Sequence, residues 1–424
     1  MALSIFQTPN VRLPLTLDGL NDKLTLYLVQ LQPGKASMLV QRPFWQQMIE
    51  NAWQKRNIIW LMGVRRIGKT SLCQSLPNIA YFDCERPRTR QLFYDPEDFL
   101  EGQRGNHIVL DEIHRLENPS EILKLAADHY PDVKIIATGS STLGATAKFK
   151  DTLTGRKTEI WLTPLLLHEM NLFGHENIRH RFLLGGFPSF FTKKQIPEKE
   201  FQEWIDAYWA KDIQDIFSIS KRYSFQKFAE LLLANSGGIF EATKFTGPCE
   251  VTRPTIVNYL AVLEETFVIH VIRPYSTHKP TEIVMAPKVY GFDTGFICHA
   301  KGWGELRQED TGLMWEHCIL NEIHGNLQMR SLNYWRDKRG HEIDFVLRLK
   351  NNAINAIECK FSIASGGTIA SEVGKNFQAF RRLYPEGENF VVAHNIDASF
   401  KRKYNGLTIS VVSAQELINK LKFD

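Results

Sequence analysis

A glycine-rich segment at residues 63–70 contains the residue types that can hold phosphate groups. Gly63, Gly68, Lys69 and Thr70 match the pattern G-x-x-x-x-G-K-[ST], and an apolar run at 58–62 leads directly into it. In this pattern the glycines let backbone N–H groups close around phosphate oxygens, the lysine reaches the outer phosphates, and the threonine hydroxyl can hold Mg²⁺. We therefore expect ATP and Mg²⁺ to bind at this loop, through Gly63, Val64, Arg65, Arg66, Ile67, Gly68, Lys69, Thr70 and Ser71.

Two further apolar runs end in polar residues that suit the same chemistry. The run at 107–112 ends in Asp111 and Glu112. We expect Asp111 to hold Mg²⁺ through water and Glu112 to polarise the attacking water, and the alternative is a buried strand followed by a solvated acidic turn. Where the run at 133–138 ends, Thr138 and Ser140 are candidates for sensing the phosphate or for capping the following turn.

The composition limits the class of protein. A length of 424 residues predicts roughly two to four domains, and a net charge of +4 gives no global basic field for nucleic acid. The 6 cysteines show no C-x-x-C pair and no metal-ligand spacing, which is typical of reduced thiols in a cytosol. Apolar stretches are short and no signal pattern opens the chain. We therefore expect a cytoplasmic protein without membrane contact.

The order of motifs resembles a known family. After the phosphate loop and the two strand ends come Gly155-Arg156, then Thr163-Pro164-Leu165, then Gly185-Gly186-Phe187-Pro188. This order is similar to that of the bacterial and archaeal AAA-type ATPases fused to a C-terminal domain of unknown function, over nearly the whole chain from about residue 40. The resemblance implies that Arg156 touches the γ-phosphate in its own or a neighbouring subunit, the latter in a homo-oligomer. A solvated arginine after a turn is the alternative.

The middle of the chain predicts a small helical module. Helix-like periodicity at 201–217 and 225–235 is followed by a helix from Thr252, with Pro254 in its first turn. The segment 267–274 then resembles the wing strands of a winged helix. Because this helix offers few cations for phosphates and ends in two glutamates, a structural or protein-contact role and direct DNA contact both stay open.

The C-terminal third contains a second group of chemically active residue types. Two apolar-alternating runs, 340–347 and 356–361, predict a hairpin. If it is centred on Asn351, Asp344 lies opposite Glu358 and Glu342 opposite Lys360, all on one face. Two opposed carboxylates repel by roughly 3 to 4 kcal/mol at an effective dielectric near 20, and a divalent cation would turn that repulsion into a ligand pair. The alternative is a solvated polar face with a Glu342–Lys360 ion pair.

This D…E-x-K arrangement resembles the core of the restriction-endonuclease-like nucleases. The resemblance implies that Asp344 and Glu358 bind Mg²⁺, that Lys360 assists the attacking water, and that an earlier helix adds a glutamate. On a helix over 311–323, Glu316 lies near the centre of the apolar face, where an inward carboxylate needs a partner, whereas Glu322 points away.

Basic and aromatic residues around the hairpin predict a DNA-binding patch, formed by Arg330, Tyr334, Trp335, Arg336, Lys338, Arg339, Arg348 and Lys350, with Lys401, Arg402 and Lys403 further on.

Together these patterns predict an α/β protein in four parts. An N-terminal extension (1–40) precedes a P-loop AAA-type ATPase domain built on a parallel sheet (41–200), a winged-helix-like module (201–275) and an α/β restriction-endonuclease-like domain (280–424). The leading interpretation is ATP hydrolysis coupled to action on DNA, which the last domain binds and cuts. The second is a nucleotide-switched protein-interaction module whose nuclease-like domain is structural and inactive.

Overall fold

The computed structural model describes residues 39–139, 153–196, 198–213, 221–277, 285–348, 353–363 and 370–423. Ser140, the turn around Asn351 and nearly all of the N-terminal extension lie outside these ranges. Val40–Asp424 forms one compact unit, so the domain boundaries expected from the sequence stay a prediction.

The first sheet carries the phosphate loop. Its strands are β1 (Ile58–Met62), β2 (Ile79–Asp83), β3 (His107–Asp111), β4 (Lys134–Thr138) and β5 (Lys157–Trp161). They lie in the order β2-β3-β4-β1-β5, and all the pairings are parallel. The apolar runs of β1, β3 and β4 are buried almost throughout, as expected for parallel strands covered on both faces. The parallel sheet predicted from the sequence is therefore confirmed.

Short helices connect these strands. Most begin with proline in the first turn, where the missing N–H costs no hydrogen bond and the fixed φ suits a helix. They are α1 (Pro43–Trp53), α2 (Lys69–Ser75), α3 (Pro87–Gln91), α4 (Pro96–Glu101) and α5 (Pro119–His129), with 3₁₀ turns at Leu92–Tyr94, Ile113–Arg115 and Leu167–Phe173.

A helical region follows. Its helices are α6 (Ile178–Leu184), α7 (Pro188–Phe191), α8 (Glu198–Tyr208) with a π turn at Trp209–Ile213, α9 (Arg222–Ala234), α10 (Ala242–Cys249) and α11 (Arg253–Glu265). Strands β6 (Gly238–Ile239), β7 (Ile269–Pro274) and β8 (Lys288–Gly291) accompany the last three helices. The helix from Thr252 and the wing-like strand after it therefore form as predicted.

The second sheet joins this region to the C-terminal part. It adds β9 (Asn333–Arg336), β10 (Glu342–Arg348), β11 (Ile354–Lys360), β12 (Asn389–Ala393), β13 (Phe400–Tyr404) and β14 (Leu407–Val412). Among the described residues it has nine strands in the order β13-β14-β12-β11-β10-β9-β7-β8-β6. The wing-like β7 pairs in parallel with β9, so the two regions share one sheet.

Four helices pack on this sheet or beside it: α12 (Thr294–Lys301), α13 (Asp310–Leu327), α14 (Ser371–Leu383) and α15 (Ala414–Phe423). A single hydrophobic cluster includes Trp45 of α1, Ile59 of β1, and Phe228 and Phe296 of the helices that follow, so the helical region packs behind the phosphate loop. No described helix has the length and apolar character needed to span a membrane.

Candidate functional site

The phosphate loop between β1 and α2 is curled by residues with positive φ. The φ angle is 145° at Gly63, 62° at Arg66 and 103° at Gly68, a region that favours glycine. A Cβ on Gly63 would lie 2.5 Å from the carbonyl oxygen of Leu162, just beyond β5. The first glycine of the pattern is therefore required by close backbone approach as well as by its conformation.

The side chain of Lys69 folds back across the loop. Its Nζ donates to the carbonyl oxygen of Gly63 at 2.8 Å and to that of Val64 at 3.2 Å. The residue is only 8% exposed. The loop carbonyls thus hold the ammonium group at the loop itself, where a phosphate group would meet it.

Asp111, at the end of β3, accepts hydrogen bonds from three hydroxyl groups. Thr70 Oγ1 donates at 2.8 Å, and Tyr81 and Thr138 donate closely from the neighbouring strands β2 and β4. Burial, then the hydrogen bond to Asp111, raises the pKa of Tyr81, so its hydroxyl stays a donor. The hydroxyl of Thr70 and the carboxylate of Asp111 are oxygen donors of the kind that Mg²⁺ prefers.

Glu112 follows Asp111 in a left-handed conformation, with φ of 52°. Its backbone N–H donates to Thr138 Oγ1 at 3.4 Å, and one carboxylate oxygen lies 3.2 Å from His114 Nδ1. Thr138 therefore contacts both acidic residues. The side chain of Glu112 is 29% exposed, so water can reach it.

The C-terminal hairpin has the register that the sequence predicts. Phe345 pairs with Ile357 and Arg348 with Ile354, and one further step of the same register sets Asp344 opposite Glu358. Asp344 accepts from the backbone N–H of Cys359 at 2.8 Å.

Glu358 is 2% exposed and has two polar neighbours. Lys360 Nζ lies 3.1 Å from its carboxylate, and Asn376 Nδ2 donates to it at 3.3 Å.

Glu316 of α13 reaches the same region and meets side chains of β8. The Tyr290 hydroxyl donates to its carboxylate at 2.5 Å, and Lys288 Nζ lies 3.6 Å from it. Lys288 also forms a close ion pair with Glu342. The Glu342–Lys360 pair considered from the sequence is therefore wrong, because Lys288 of β8 takes Glu342 and Lys360 turns to Glu358.

The pKa values of these carboxyl groups are shifted by one another's charges. Burial, and next the charge of Asp344, raises the pKa of both Glu316 and Glu358. Burial would lower the pKa of Lys288, but the carboxylates, Glu316 first, raise it above its ordinary range. The charge of Asp344 thus acts on both glutamates, and raised pKa values of this kind occur at functional sites.

A three-carboxylate metal site is not assembled in this arrangement. Within the residues that the structure describes, no three His, Cys, Asp or Glu side chains are grouped so as to hold a metal ion. Metal binding by Asp344 and Glu358 alone stays a prediction.

Three protein families match successive parts of the chain. Residues 55–171 match an AAA domain, 175–307 a domain of unknown function (DUF8612), and 311–416 a domain of unknown function (DUF4143). The chain combines an AAA domain with a C-terminal DUF4143 domain. The AAA domain contains the phosphate loop, Asp111 and Glu112, and the DUF4143 domain contains Glu316, Asp344 and Glu358.

Similar proteins include an uncharacterized protein of Mycobacterium tuberculosis, 23% identical over 324 residues, which cover 74% of this chain and 72% of that protein. An uncharacterized protein of Haemophilus influenzae is 23% identical over 363 residues, covering 77% and 88%. Among solved structures, the Walker-type ATPase of Pyrococcus abyssi matches with a TM-score of 0.42 and 15% identity, over 62% of this chain and 96% of that one.

Arg156 lies at the edge of the first sheet opposite the phosphate loop. It precedes Lys157, which pairs with Ile58 at the start of β1, whereas the phosphate loop follows the end of that strand. Five strand residues separate the two edges by about 16 Å. Arg156 instead pairs with Asp128 at 2.7 Å. Contact of Arg156 with the γ-phosphate, in its own or a neighbouring subunit, therefore stays a prediction, and this position favours the neighbouring subunit.

The predicted DNA patch of the DUF4143 domain is smaller than expected. Tyr334 and Trp335 are 3% and 4% exposed, because Tyr334 packs in the core and donates to the carbonyl of Ala286 and Trp335 packs against Phe380 of α14, so they cannot stack on bases. Arg330 lies over Trp161 and donates to the carbonyl of Glu264. The cations of the predicted patch that the structure shows as exposed are Arg330, Arg336, Lys338, Arg339 and Arg348, with Lys401, Arg402 and Lys403 further on.

Several residues at both sites have no local sequence signal. Lys288 and Tyr290 read as ordinary strand residues, and Glu322 proves to be buried rather than pointing to solvent. Its carboxylate accepts from the backbone N–H of Leu167 at 2.7 Å. Near the loop, Trp204 Nε1 donates to the carbonyl of Arg65 at 2.9 Å.

Proposed function

We propose that the protein binds ATP at the phosphate loop and hydrolyses it with Mg²⁺. The observation that carries this proposal is the contact of 2.8 Å between Thr70 Oγ1 and Asp111 Oδ2, because it joins the loop to the acidic strand end. Both atoms suit a hard cation. Thr70 and Asp111 would hold the Mg²⁺, which when bound would supply positive charge against the charge that develops on the phosphate oxygens.

Each remaining residue then has a distinct role. Lys69, which bonds to the carbonyls of Gly63 and Val64, exchanges these contacts for the outer phosphates. Glu112 orients the attacking water. Thr138, which bonds to Asp111 and accepts from the Glu112 N–H, links the metal ligand to the residue that handles water.

A phosphate-release assay tests this proposal. Lys69→Ala should lose most nucleotide binding, because a neutral side chain cannot replace an ammonium at the phosphates. Glu112→Gln should bind ATP and hydrolyse it slowly. The exposed Lys55 provides a matched control, and Lys55→Ala should behave as wild type. Equal turnover by all the variants would reject the proposal.

We also propose that Arg156 acts on the nucleotide of a neighbouring subunit in a homo-oligomer. Its place at the far edge of the sheet, paired with Asp128, supports this. Arg156→Ala and Lys69→Ala proteins should each hydrolyse ATP poorly. Mixed together, they should regain activity, because a Lys69→Ala subunit supplies its arginine to the intact loop of its neighbour. No recovery on mixing would contradict the proposal.

The finer proposal is that hydrolysis is coupled to action on DNA, with the endonuclease-like C-terminal cluster binding and cutting the backbone. Support comes from the opposed Asp344 and Glu358, from Lys360 at 3.1 Å, and from the exposed cations beside the hairpin. Carboxylate oxygens of this kind fit Mg²⁺ by type. When bound, the metal would stabilise charge on the phosphodiester.

The second candidate, a nucleotide-switched protein-interaction module with an inactive nuclease-like domain, has its own support. Lys288 and Lys360 already neutralise much of the acidic cluster through internal ion pairs. A domain that needs no metal to hold its carboxylates together is compatible with a structural role.

One experiment separates the two candidates. The protein is incubated with linear, circular and branched DNA, with Mg²⁺ or Mn²⁺, with and without ATP. Asp344→Asn should abolish cleavage and leave ATP hydrolysis nearly intact, whereas Asp397→Asn, at an exposed position, should change neither. Absence of both cleavage and low-salt DNA binding in the wild type would favour the interaction module. We propose a cytoplasmic location, because all six cysteines are unpaired and buried.

A further inference from the structure

Arg42, the residue before α1, is a buried arginine with one unused end. It is 3% exposed. Its Nε and Nη2 donate to the two carboxylate oxygens of Glu169 at 2.7 and 2.8 Å. Its Nη1 has no hydrogen-bond partner among the residues that the structure describes. Buried N–H groups of this kind are rare, because leaving one unpaired costs free energy.

Glu169 fixes the direction of that unused end. Its carboxylate also accepts from Trp45 Nε1 at 3.2 Å and from the backbone N–H of Leu166 at 3.1 Å. Burial would raise the pKa of Glu169, but Arg42 and these donors lower it, so the group stays ionised. With its acceptor positions taken by four donors, Glu169 cannot turn to Nη1. The two-pronged contact instead orients the guanidinium plane.

The unused nitrogen lies beside the phosphate loop. A Cβ built on Gly68 would stand 4.0 Å from Arg42 Nη1 and 3.7 Å from Pro188 Cγ. Gly68 directly precedes Lys69, whose ammonium the loop carbonyls hold. A donor that lacks an acceptor therefore faces the part of the loop at which phosphate groups are expected.

We propose that Arg42 is a nucleotide-binding residue whose Nη1 donates to a phosphate oxygen of the bound nucleotide, and that Glu169 positions it. This inference rests on the proposed nucleotide site and adds a ligand 27 residues before Lys69 in the sequence. Because Glu169 neutralises the guanidinium charge, Arg42 contributes a directed hydrogen bond rather than net positive charge. Its deletion should therefore weaken binding less than loss of Lys69.

The test measures dissociation constants of Mg-ADP and of inorganic tripolyphosphate. Arg42→Lys keeps a cation beside Glu169, so the fold should be retained, but it loses the second hydrogen bond to Glu169 and the Nη1 donor. We expect it to bind both ligands tenfold to a hundredfold more weakly, the range for one charge-assisted hydrogen bond. Arg56→Lys, at an exposed position of the same segment, is the matched control and should bind as wild type.

A second variant covers the case in which Arg42→Lys fails to fold. Arg42→Met combined with Glu169→Gln removes both charges and leaves an amide oxygen for Trp45 and Leu166. It should melt near the wild type without nucleotide and bind both ligands at least tenfold more weakly.

Three results would overturn the inference. The first is an unchanged affinity for both ligands in a folded variant. The second is a variant whose only change is a lower melting temperature, measured without nucleotide. The third is weakening confined to ADP, which would assign Arg42 to the base or ribose. If wild type and Lys69→Ala both fail to bind any nucleotide, the proposed function itself is wrong.

Discussion

Glu322 offers a quantitative test of how the AAA and DUF4143 regions are joined. This carboxyl on α13 is 4% exposed and accepts from the backbone N–H of Leu167, in the 3₁₀ turn that also carries Glu169. Burial, and to a lesser degree the charge of Glu169, raises the pKa of Glu322 from 4.5 to about 7. At neutral pH and above, the ionised carboxylate of Glu322 is therefore buried where water cannot solvate it, which lowers the free energy of unfolding.

The sign and the size of the effect follow from that pKa. Because the folded state favours the protonated form, Glu322 contributes stability below pH 4.5 that is lost as the pH rises to 7. The full step corresponds to about 3 kcal/mol, and about 2.5 kcal/mol of it falls between pH 5 and pH 8. Glu322→Gln keeps an acceptor oxygen for Leu167 and cannot ionise. The melting temperature of the variant should therefore rise relative to that of the wild type by roughly 3 °C across that interval.

The assay is a series of thermal melts from pH 5 to pH 8.5 at constant ionic strength, for wild type, Glu322→Gln and Glu305→Gln. Glu305 is exposed, so its variant should follow the wild type at every pH. A difference between Glu322→Gln and wild type that stays constant with pH, or that shrinks as pH rises, would refute the reasoning, because it would mean that the buried carboxyl does not titrate in this range.

Four further predictions concern packing and charge. Asp344→Asn should raise the free energy of unfolding by about 1 kcal/mol at pH 8 and have little effect at pH 5, where Glu316 and Glu358 are protonated. Equal effects at both pH values in thermal melts would contradict this prediction. Lys288→Met should cost about 3 kcal/mol at pH 8 and less at pH 5, since it leaves Glu316 and Glu342 without their cation. Gly325→Ala should destabilise by about 1–3 kcal/mol, because its methyl group would lie 2.7 Å from Leu166 Cδ2. Gly312→Ala, on the same helix with open space around it, should instead stabilise by up to about 1 kcal/mol in denaturant titrations.

The sequence predicts the elements whose signals are local. Parallel strands buried on both faces require unbroken apolar runs, so β1, β3 and β4 are visible in the chain, as are the polar residues at their ends. The hairpin register is equally predictable, because the side-chain period of 2 and the turn centre together determine which residues face each other. Asp344 and Glu358 therefore lie opposite each other as expected.

Features that depend on distant segments have no such signal. Arg42 meets Glu169 across 127 residues, and Leu167 meets Glu322 across 155, with no periodicity to indicate either contact. The motif order assigns Arg156 to the nucleotide but does not give the edge of the sheet at which β5 begins. The basic residues around Trp335 predict that it stacks on bases, but Phe380 of α14, which is distant in sequence, packs against it.

The pairing of β7 with β9 has a consequence for inheritance. Lys288 and Tyr290 belong to the DUF8612 match, whereas Glu316 and Asp344 belong to the DUF4143 match, so one charged cluster is divided between two sequence families. If recombination replaced only the first of these segments, Glu316 would be buried without its cation and β9 would have an unpaired edge. The two segments should therefore be inherited together. A substitution at this cluster in one segment should be accompanied by a compensating substitution in the other.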